Sequence, residues 1–327
     1  MAEWTVALAA VGAIIGAGFA SGREIATFFT MHGRWLWLGA AACSIAAGLL
    51  TAMLVTLAKR TQSTSLAQLY TRVMDEKCGE AVQAAHTLLL LIVCAAMCSA
   101  AAELGALALS SRWARPTGAC CAAALALAGA KSGRRLAGGG LLTAGAIFAF
   151  YCILCAQDVP HRPCAQNGAV VSGGLGVLYA CLNVALASGV ICSAGQKAAS
   201  PARAGLYTGA LLLALLLPAC IALRRLGDTD LALPSVALAG ELGAFGFWAS
   251  VAALFAASVS TLATGLFSLR GQLCQAGMPE KWSMTAALGG AALLSAVGFA
   301  PIVQVAYPLL GFVCAMLLPV LAIFIKE

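Results

Sequence analysis

The sequence predicts an all-α polytopic membrane protein of about ten transmembrane helices, and its composition carries this prediction. Hydrophobic residues make up 62% of the 327 residues and charged residues only 9%, against about 25% charged residues in an average soluble protein. A water-soluble fold of this size would lack the polar groups that its surface needs. The apolar residues stand in long unbroken runs, which argues against the alternating pattern of a transmembrane β-barrel. At about 20 residues for each span plus short loops, the length allows about ten helices.

Ten apolar runs can be marked along the chain, and each is read as one helix. They cover residues 4–29, 35–58, 81–109, 116–130, 136–157, 169–194, 204–223, 244–269, 283–297 and 299–325. We expect a single integral membrane domain over residues 1–327. Its two five-helix halves would be residues 1–157 and 158–327.

The distribution of basic residues predicts the orientation of these helices. Twelve Lys and Arg residues fall in the even-numbered connections and the C-terminal tail, and six fall in the odd-numbered connections. Short loops rich in Lys and Arg normally face the cytoplasm, so we expect both termini in the cytoplasm. The net charge of +7 is explained by this bias. The lipid bilayer is therefore an expected partner and nucleic acid is not, while the oligomeric state is left open.

The first apolar run contains signals for a break in the helix. Four glycines fall within eleven residues, at Gly12, Gly16, Gly18 and Gly22. Each costs about 1 kcal/mol relative to Ala in a helix interior. Ser21 and Glu24 have the spacing of a capping box, the pattern that begins a helix. Unwound backbone within a bilayer survives only where it lines a polar cavity or packs inside protein.

We therefore predict two half-helices in this run, with a break near residues 16–21. The alternative is a continuous helix that packs through small residues, because Gly12 and Gly16 have GxxxG spacing. In the broken form, the second half-helix presents free N–H groups and the positive end of its dipole, which suit a carboxylate. The first half-helix ends in unpaired carbonyls, which suit a cation.

The sixth run has a similar glycine-rich character around Tyr179 and Asn183, so we predict that helix six is also discontinuous. Asn183 would contact a ligand or, alternatively, form a hydrogen bond between helices. Interrupted segments at matching positions of two halves are typical of inverted-repeat transporters, whose site lies at the repeat interface. The residues predicted to bind a small solute are Gly16, Gly18, Phe19, Ser21, Gly22, Glu24, Tyr179 and Asn183.

Two carboxylates within the apolar runs are candidates for chemistry, because an ionisable group in a span is costly and usually functional. Glu24 would bind a substrate ammonium or carry a coupling proton. Alternatively, it only caps the half-helix or pairs with Arg23. Glu103, near the outer end of the third run, would be a gate or relay, or a carboxylate that faces solvent at the membrane edge.

The first motif also resembles that of a known family. Residues 16–24 followed by Phe28 and Phe29 resemble the opening of the YkvI-like bacterial membrane proteins, in which many members carry Gln where this chain has Arg23. Tyr179 and Asn183 resemble the family's sixth span, and residues 298–299 and 307–311 its last span. The resemblance implies the amino acid–polyamine–organocation superfamily, a LeuT-type five-plus-five fold and the bacterial cytoplasmic (inner) membrane.

The resemblance also implies an ion site, since the eighth helix of LeuT-type folds faces the break in the first. Hydroxyl oxygens are hard ligands that suit Na⁺. Ser260 and Thr261 would complete a sodium site with the carbonyls of Ala13 and Gly16. The alternative is that these hydroxyls bond back to their own helix and need no ion.

Together these features predict a secondary transporter of a small polar solute, an amino acid or related amine. It would work by alternating access with Na⁺ or H⁺ coupling, and no other cofactor or metal is expected. No GxxxxGK[ST] nucleotide-binding motif occurs. A ligand sensor that keeps a transporter fold without transport is the alternative. An enzyme is not expected, because the three histidines lie near run ends or in loops without a Ser or Asp partner.

Overall fold

The computed structural model describes residues 2–109, 111–130, 145–156, 168–227 and 230–325, and these residues are helical almost throughout. Six helices in this part of the chain are long and apolar enough to cross a membrane. The protein is therefore an all-helical membrane protein, as its composition predicts.

Fifteen α-helices are described, joined by short turns. In chain order they are α1 (Ala2–Ile14), α2 (Ala17–Ser21), α3 (Arg23–Phe28), α4 (Leu36–Thr61), α5 (Leu66–Val73), α6 (Glu76–Ala108), α7 (Ala114–Ala130), α8 (Gly145–Cys155), α9 (Ala169–Gly195), α10 (Pro201–Arg224), α11 (Pro234–Gly240), α12 (Gly243–Gln275), α13 (Glu280–Ser295), α14 (Phe299–Pro301) and α15 (Tyr307–Val320). Two 3₁₀ segments, Thr30–Trp35 and Leu321–Ile325, and one π-helical turn, Ile302–Ala306, complete the described elements.

The count of ten spans stays a prediction, because four of the predicted runs are short or only partly described. α1 has 13 residues and is therefore about 20 Å long, less than the hydrocarbon thickness of about 30 Å. α7 and α13 have 17 and 16 residues. The predicted run 136–157 is described only over residues 145–156.

Side-chain caps fix where several helices begin. Ser65, Asp75 and Ser200 each precede a helix and accept a hydrogen bond from the backbone N–H three residues later. Such caps satisfy N–H groups that lack a partner within the helix. They set the starts of α5, α6 and α10, and Pro201 at the first position of α10 reinforces the last of these.

The long helices pack as two groups. The first group consists of α1, α4, α9 and α10, and the second of α6, α7, α12 and α13. α2 packs against α6 and α12 of the second group, whereas α3 packs against α9 and α10 of the first. The interrupted first segment therefore lies between the two groups and contacts both.

The predicted break in helix six is wrong, because α9 is continuous from Ala169 to Gly195. Its glycines serve packing instead. A Cβ on Gly176 would overlap the backbone carbonyl of Gly39 in α4, so the absence of a side chain lets the two helices approach closely. Gly174, two residues earlier, has no neighbouring atom within 4 Å of a Cβ position.

Candidate functional site

The first segment is interrupted at two points. α1 ends at Ile14, and the Gly16 N–H donates to Ile14 O (3.1 Å) instead of to Gly12 O as in an α-helix. The second interruption is at Gly22, whose φ of 79° lies in the left-handed region that favours glycine. The break predicted near residues 16–21 is confirmed, and a continuous helix is excluded.

Ser21 and Glu24 do not form the predicted capping box. Ser21 is the last residue of α2. Its Oγ donates to Gly18 O (2.7 Å) and accepts from the Arg23 N–H (3.1 Å). The residue before α3 is Gly22, which has no side chain to cap with. The prediction fails because the left-handed turn at Gly22 puts Ser21 at the end of one helix rather than at the start of the next.

The Glu24 carboxylate is buried, with 7% of the residue exposed. Its Oε2 accepts a hydrogen bond from the Tyr179 hydroxyl (2.8 Å). The rings of Phe28 and Phe29 pack on Tyr179, with centroid distances of 5.0 and 5.3 Å. On the other side, a Cβ on Gly18 would overlap the carboxylate. We call these five residues the Glu24 cluster.

An ionised Glu24 would have no cationic partner among the described residues. In the part of the chain that the structure describes, no Lys, Arg or His lies within ion-pair distance of this carboxylate. The Arg23 side chain, also buried, turns away from it, because its Nη1 donates to Leu231 O (2.8 Å) and it interacts with Asp230. The alternative pairing of Glu24 with Arg23 is therefore not observed.

Two further buried tyrosines, Tyr151 of α8 and Tyr307 of α15, interact electrostatically with Glu24. Sequence reasoning left Tyr151 out and treated Tyr307 only as a weaker candidate, outside the predicted solute-binding set. A signal was present, since the chain has only five Tyr residues and a phenol in an apolar run usually needs a polar partner.

The C-terminal carbonyls of α2 are held by side chains from distant helices. The Tyr151 hydroxyl donates to Phe19 O (2.8 Å), and Ser235 Oγ of α11 donates to Ala20 O (2.7 Å). Phe19 also meets the Tyr151 ring edge-on, with centroids 6.0 Å apart. These bonds replace the partners that the carbonyls lose at the second interruption, and they fix α2 against α8 and α11.

Asn183 lies in α9 one turn after Tyr179 and is buried. Its Nδ2 donates to Tyr179 O (2.9 Å). The side chain thus bonds within its own helix instead of to another helix, and its contact with a ligand stays a prediction.

α12 faces the first interruption through Thr261. The Ala17 N–H donates to Thr261 Oγ1 (3.4 Å), although in an unbroken helix it would bond to Ala13 O. A Cβ on Gly16 would lie 3.1 Å from the same hydroxyl oxygen. The Gly16 carbonyl accepts from the Ala20 N–H (3.1 Å). The first N–H of α2 therefore bonds to Thr261, and anion binding at the start of the second half-helix stays a prediction.

Other hydroxyls of α12 bond back to their own helix. Ser258 Oγ donates to Leu254 O and Thr264 Oγ1 donates to Ser260 O, each at 2.9 Å. Thr261 differs from these two because its hydroxyl accepts a bond from the interrupted segment. Of the predicted sodium residues, the structure places Gly16 and Thr261 together.

Glu103 lies apart from this region. Its carboxylate forms an ion pair with Arg115 (3.1 Å), and the two side chains are 25% and 66% exposed. Exposed pairs of this kind contribute little to stability. The structure thus places Glu103 in an ion pair between α6 and α7, and its role as a gate or relay stays a prediction.

The predicted solute-binding residues surround the two interruptions, and most are buried. The structure brings Gly18 and Tyr179 directly to Glu24. Gly16, Phe19, Ser21 and Gly22 lie at or between the two breaks, and Asn183 lies one turn after Tyr179 in α9. The region is closed, since Phe19 and Tyr179 are at most 1% exposed.

Comparisons with known proteins support a transporter fold. No protein-family model matches the sequence, and no similar curated protein was found. Among solved structures, Mhp1 is similar, a nucleobase-cation-symport-1 family transporter in a closed conformation with bromovinylhydantoin bound. The TM-score is 0.62 at 12% identity, over 99% of this chain and 77% of that chain. At this identity the likeness shows the fold alone, a LeuT-like transporter fold. The resemblance to YkvI-like proteins stays a prediction.

Proposed function

We propose that this protein is a secondary transporter of a small polar solute, an amino acid or related amine, driven by Na⁺ or H⁺. The observation that carries the proposal is the interrupted first segment, which lies between two helix groups of a transporter fold. A buried carboxylate within that segment supports a role in binding. Ionisable groups in such positions usually mark the path of a substrate or ion.

Alternating access would follow from relative movement of the two helix groups. α2 contacts the second group and α3 contacts the first. Movement of one group relative to the other would therefore change the angle between α2 and α3. Gly16 and Gly22 are the points at which the backbone can absorb that change. The movement would open the Glu24 cluster first to one side of the membrane and then to the other.

We further propose the ten-helix five-plus-five arrangement in this membrane protein. Each helix group takes two helices from residues 1–157 and two from residues 158–327, as two interleaved repeats require. The bias of basic residues supports cytoplasmic termini, and the resemblance to YkvI-like proteins supports a bacterial inner membrane.

Two places are candidates for the coupling ion. Glu24 would carry a proton, and the region of Thr261 and Gly16 would hold Na⁺ together with the carbonyl of Ala13, which the interruption frees from Ala17. Ser260 supplies its carbonyl to Thr264 and retains a hydroxyl next to Thr261.

The first experiment is a thermal-shift screen of amino acids and amines, with and without sodium. A ligand at 100 times its Kd stabilises the folded state by about 2.7 kcal/mol. Counterflow in proteoliposomes then decides between transport and sensing, because preloaded vesicles exchange labelled solute only if the protein moves it. Stabilisation without counterflow would support the sensor and contradict the proposal.

The variant Glu24→Gln tests whether this carboxylate belongs to the site. We expect it to abolish ligand-dependent stabilisation while the protein stays folded, because the amide keeps the shape and loses the charge. Glu103→Gln is the matched control and should retain the full thermal shift. An unchanged shift in Glu24→Gln would remove Glu24 from the binding site.

A further inference from the structure

At the buried position of Glu24, an ionised carboxylate without a neighbouring cation is energetically unfavourable. It is buried in the closed molecule, and its one hydrogen-bond donor among the described side chains is the Tyr179 hydroxyl. A buried carboxylate without a cation strongly favours its neutral form, because the apolar surroundings do not replace the hydration of the charge. Among the residues that the structure describes, none lies close enough to Glu24 to supply the positive charge that its ionised form would need in this closed site.

The charged and titratable groups on the surrounding helices do not supply that charge. Arg23 turns to Leu231 and Asp230. His32 Nε2 lies 3.0 Å from Thr27 O, and Arg34 stacks over the Trp35 ring. At the outer end of α10, Arg224 and Arg225 are half-buried, and Arg225 donates to Leu154 O and Cys155 O. The other described groups here are neutral phenols and thiols, with Tyr151, Tyr179 and Tyr307 near Glu24, Cys43 near Tyr179 and Cys220 near Tyr151.

We propose that Glu24 is the proton-carrying group of this transporter, and that it exchanges its proton for a cationic amine. This inference rests on the proposed function and names the coupling ion and the substrate class. In the closed molecule Glu24 is a neutral carboxylic acid. When the site opens, the proton leaves for water and the ammonium group of the substrate takes its place beside the carboxylate. The site is neutral in both states, so one proton is exchanged for one monovalent amine.

The walls of the cluster favour an organic cation over an anion or a bare ion. A carboxylate at Glu24 repels an anionic group. The cluster also contains the packed rings of Phe28, Phe29 and Tyr179, and aromatic rings attract ammonium groups. A bare metal ion instead needs several oxygen ligands, and the cluster offers the carboxylate and one phenol.

Infrared difference spectroscopy tests the proton directly, without a need for transport. We expect purified wild-type protein at neutral pH to show the C=O band of a protonated carboxyl that Glu24→Gln lacks and Glu103→Gln retains. Raising the pH should convert this band to carboxylate bands. In Tyr179→Phe the band should shift in frequency and persist, which identifies it even if Glu24→Gln does not fold. Absence of such a band from wild type would overturn the proposal.

A second arm tests the exchange. Adding at least one of a panel of primary monoamines (methylamine, propylamine, butylamine) at neutral pH should replace the acid band by carboxylate bands, whereas sodium chloride should leave it unchanged. Loss of the band with sodium chloride, or persistence with every amine, would contradict the exchange. An amine that removes the band in a protein without counterflow would support the exchange of proton for amine at Glu24 and reject the transporter function.

Discussion

Tyr179 and Glu24 are 155 positions apart in the sequence, and the hydroxyl of one donates to the carboxylate of the other at 2.8 Å. The net contribution of such a bond to stability is modest, but removing one of the two buried partners lowers the free energy of unfolding, because the other is left unsatisfied. Phe28 and Phe29 keep the phenol in place by packing on its ring. At the scale of single residues, the arrangement thus fixes where the carboxylate lies in the closed molecule.

We expect Tyr179→Phe to lower the stability of the protein by about 1–3 kcal/mol, because it leaves the Glu24 carboxyl without this donor. The measurement is thermal or denaturant unfolding in detergent. Tyr207→Phe is the control, since Tyr207 stacks on Trp4 through its ring at 4.3 Å and that contact survives. Equal stability of the two variants would show that the bond to Glu24 contributes nothing.

The glycines of α9 show that the role of a glycine in a membrane helix depends on which atoms of other helices pack against it. Gly176 lies against Gly39, and α4 also meets α10 closely, where Gly48 faces Gly205. The cost of glycine in a helix is here offset by close backbone packing. In α2 and α3 the same residue type allows a break, because Gly22 has a positive φ.

Gly176→Ala should lower the stability of the protein, because its Cβ would overlap a backbone carbonyl of α4 and overpacking typically costs about 1–3 kcal/mol. Gly174→Ala, where a Cβ has open space, should be neutral or stabilising by up to about 1 kcal/mol. Unfolding midpoints of both variants in detergent check this. If Gly176→Ala were as stable as Gly174→Ala, close packing would not explain the glycine.

The N-terminus of α6 predicts a pH dependence. The hydrogen bond from the Cys78 N–H to the Asp75 carboxylate (2.7 Å) lowers the pKa of Asp75 below its ordinary value of 3.8. The ionised cap therefore stabilises the fold fully above the unfolded-state pKa, and this contribution is lost as the pH falls through the lower folded-state pKa. Asp75→Asn can still cap the helix but does not titrate.

The difference in thermal midpoint between wild type and Asp75→Asn should accordingly be constant above about pH 5 and change below about pH 4. Glu76→Gln, next to the cap, serves as the control for a general loss of negative charge. A pH-independent difference between wild type and Asp75→Asn would contradict the role of the ionised cap.

The whole molecule is organised by the two helix groups and the segment between them. Within the first group, close helix contacts such as α4 against α9 favour movement as a unit. Between the groups, α2 is joined to α12 by a hydrogen bond from the Ala17 N–H to Thr261 Oγ1. Its length of 3.4 Å exceeds the usual range for an N–H···O bond. Movement during transport is therefore expected between the groups rather than within them.

Spin labels on exposed residues test this movement. We expect the distance between labels at Ile45 in α4 and Leu206 in α10, both in the first group, to stay constant when pH or amine is changed. The distance between Leu206 and Leu293 in α13, which belongs to the second group, should change. All three residues are at least 64% exposed, so labels should not disturb packing. Pulsed electron paramagnetic resonance measures both distances. If the distance changed equally in the two pairs, or in neither, the groups would not move relative to each other.

The sequence alone was sufficient for the membrane class, the long helices and the break in the first segment. These depend on short-range properties, namely runs of apolar residues and the backbone freedom of glycines close together in the chain. Even so, the capping-box pattern at Ser21 and Glu24 gave a wrong prediction. The left-handed turn at Gly22 places the two residues in different helices.

Only the tertiary structure decided which groups meet. It joined Glu24 to Tyr179, gave Glu103 its partner Arg115, and assigned Gly176 to packing rather than to a break. The physical reason is how far apart along the chain the interacting residues are. Backbone conformation follows from neighbours along the chain, whereas a side-chain hydrogen bond or a close helix contact depends on the spatial separation of segments that can be 100 or more residues apart, as Tyr179 and Glu24 are.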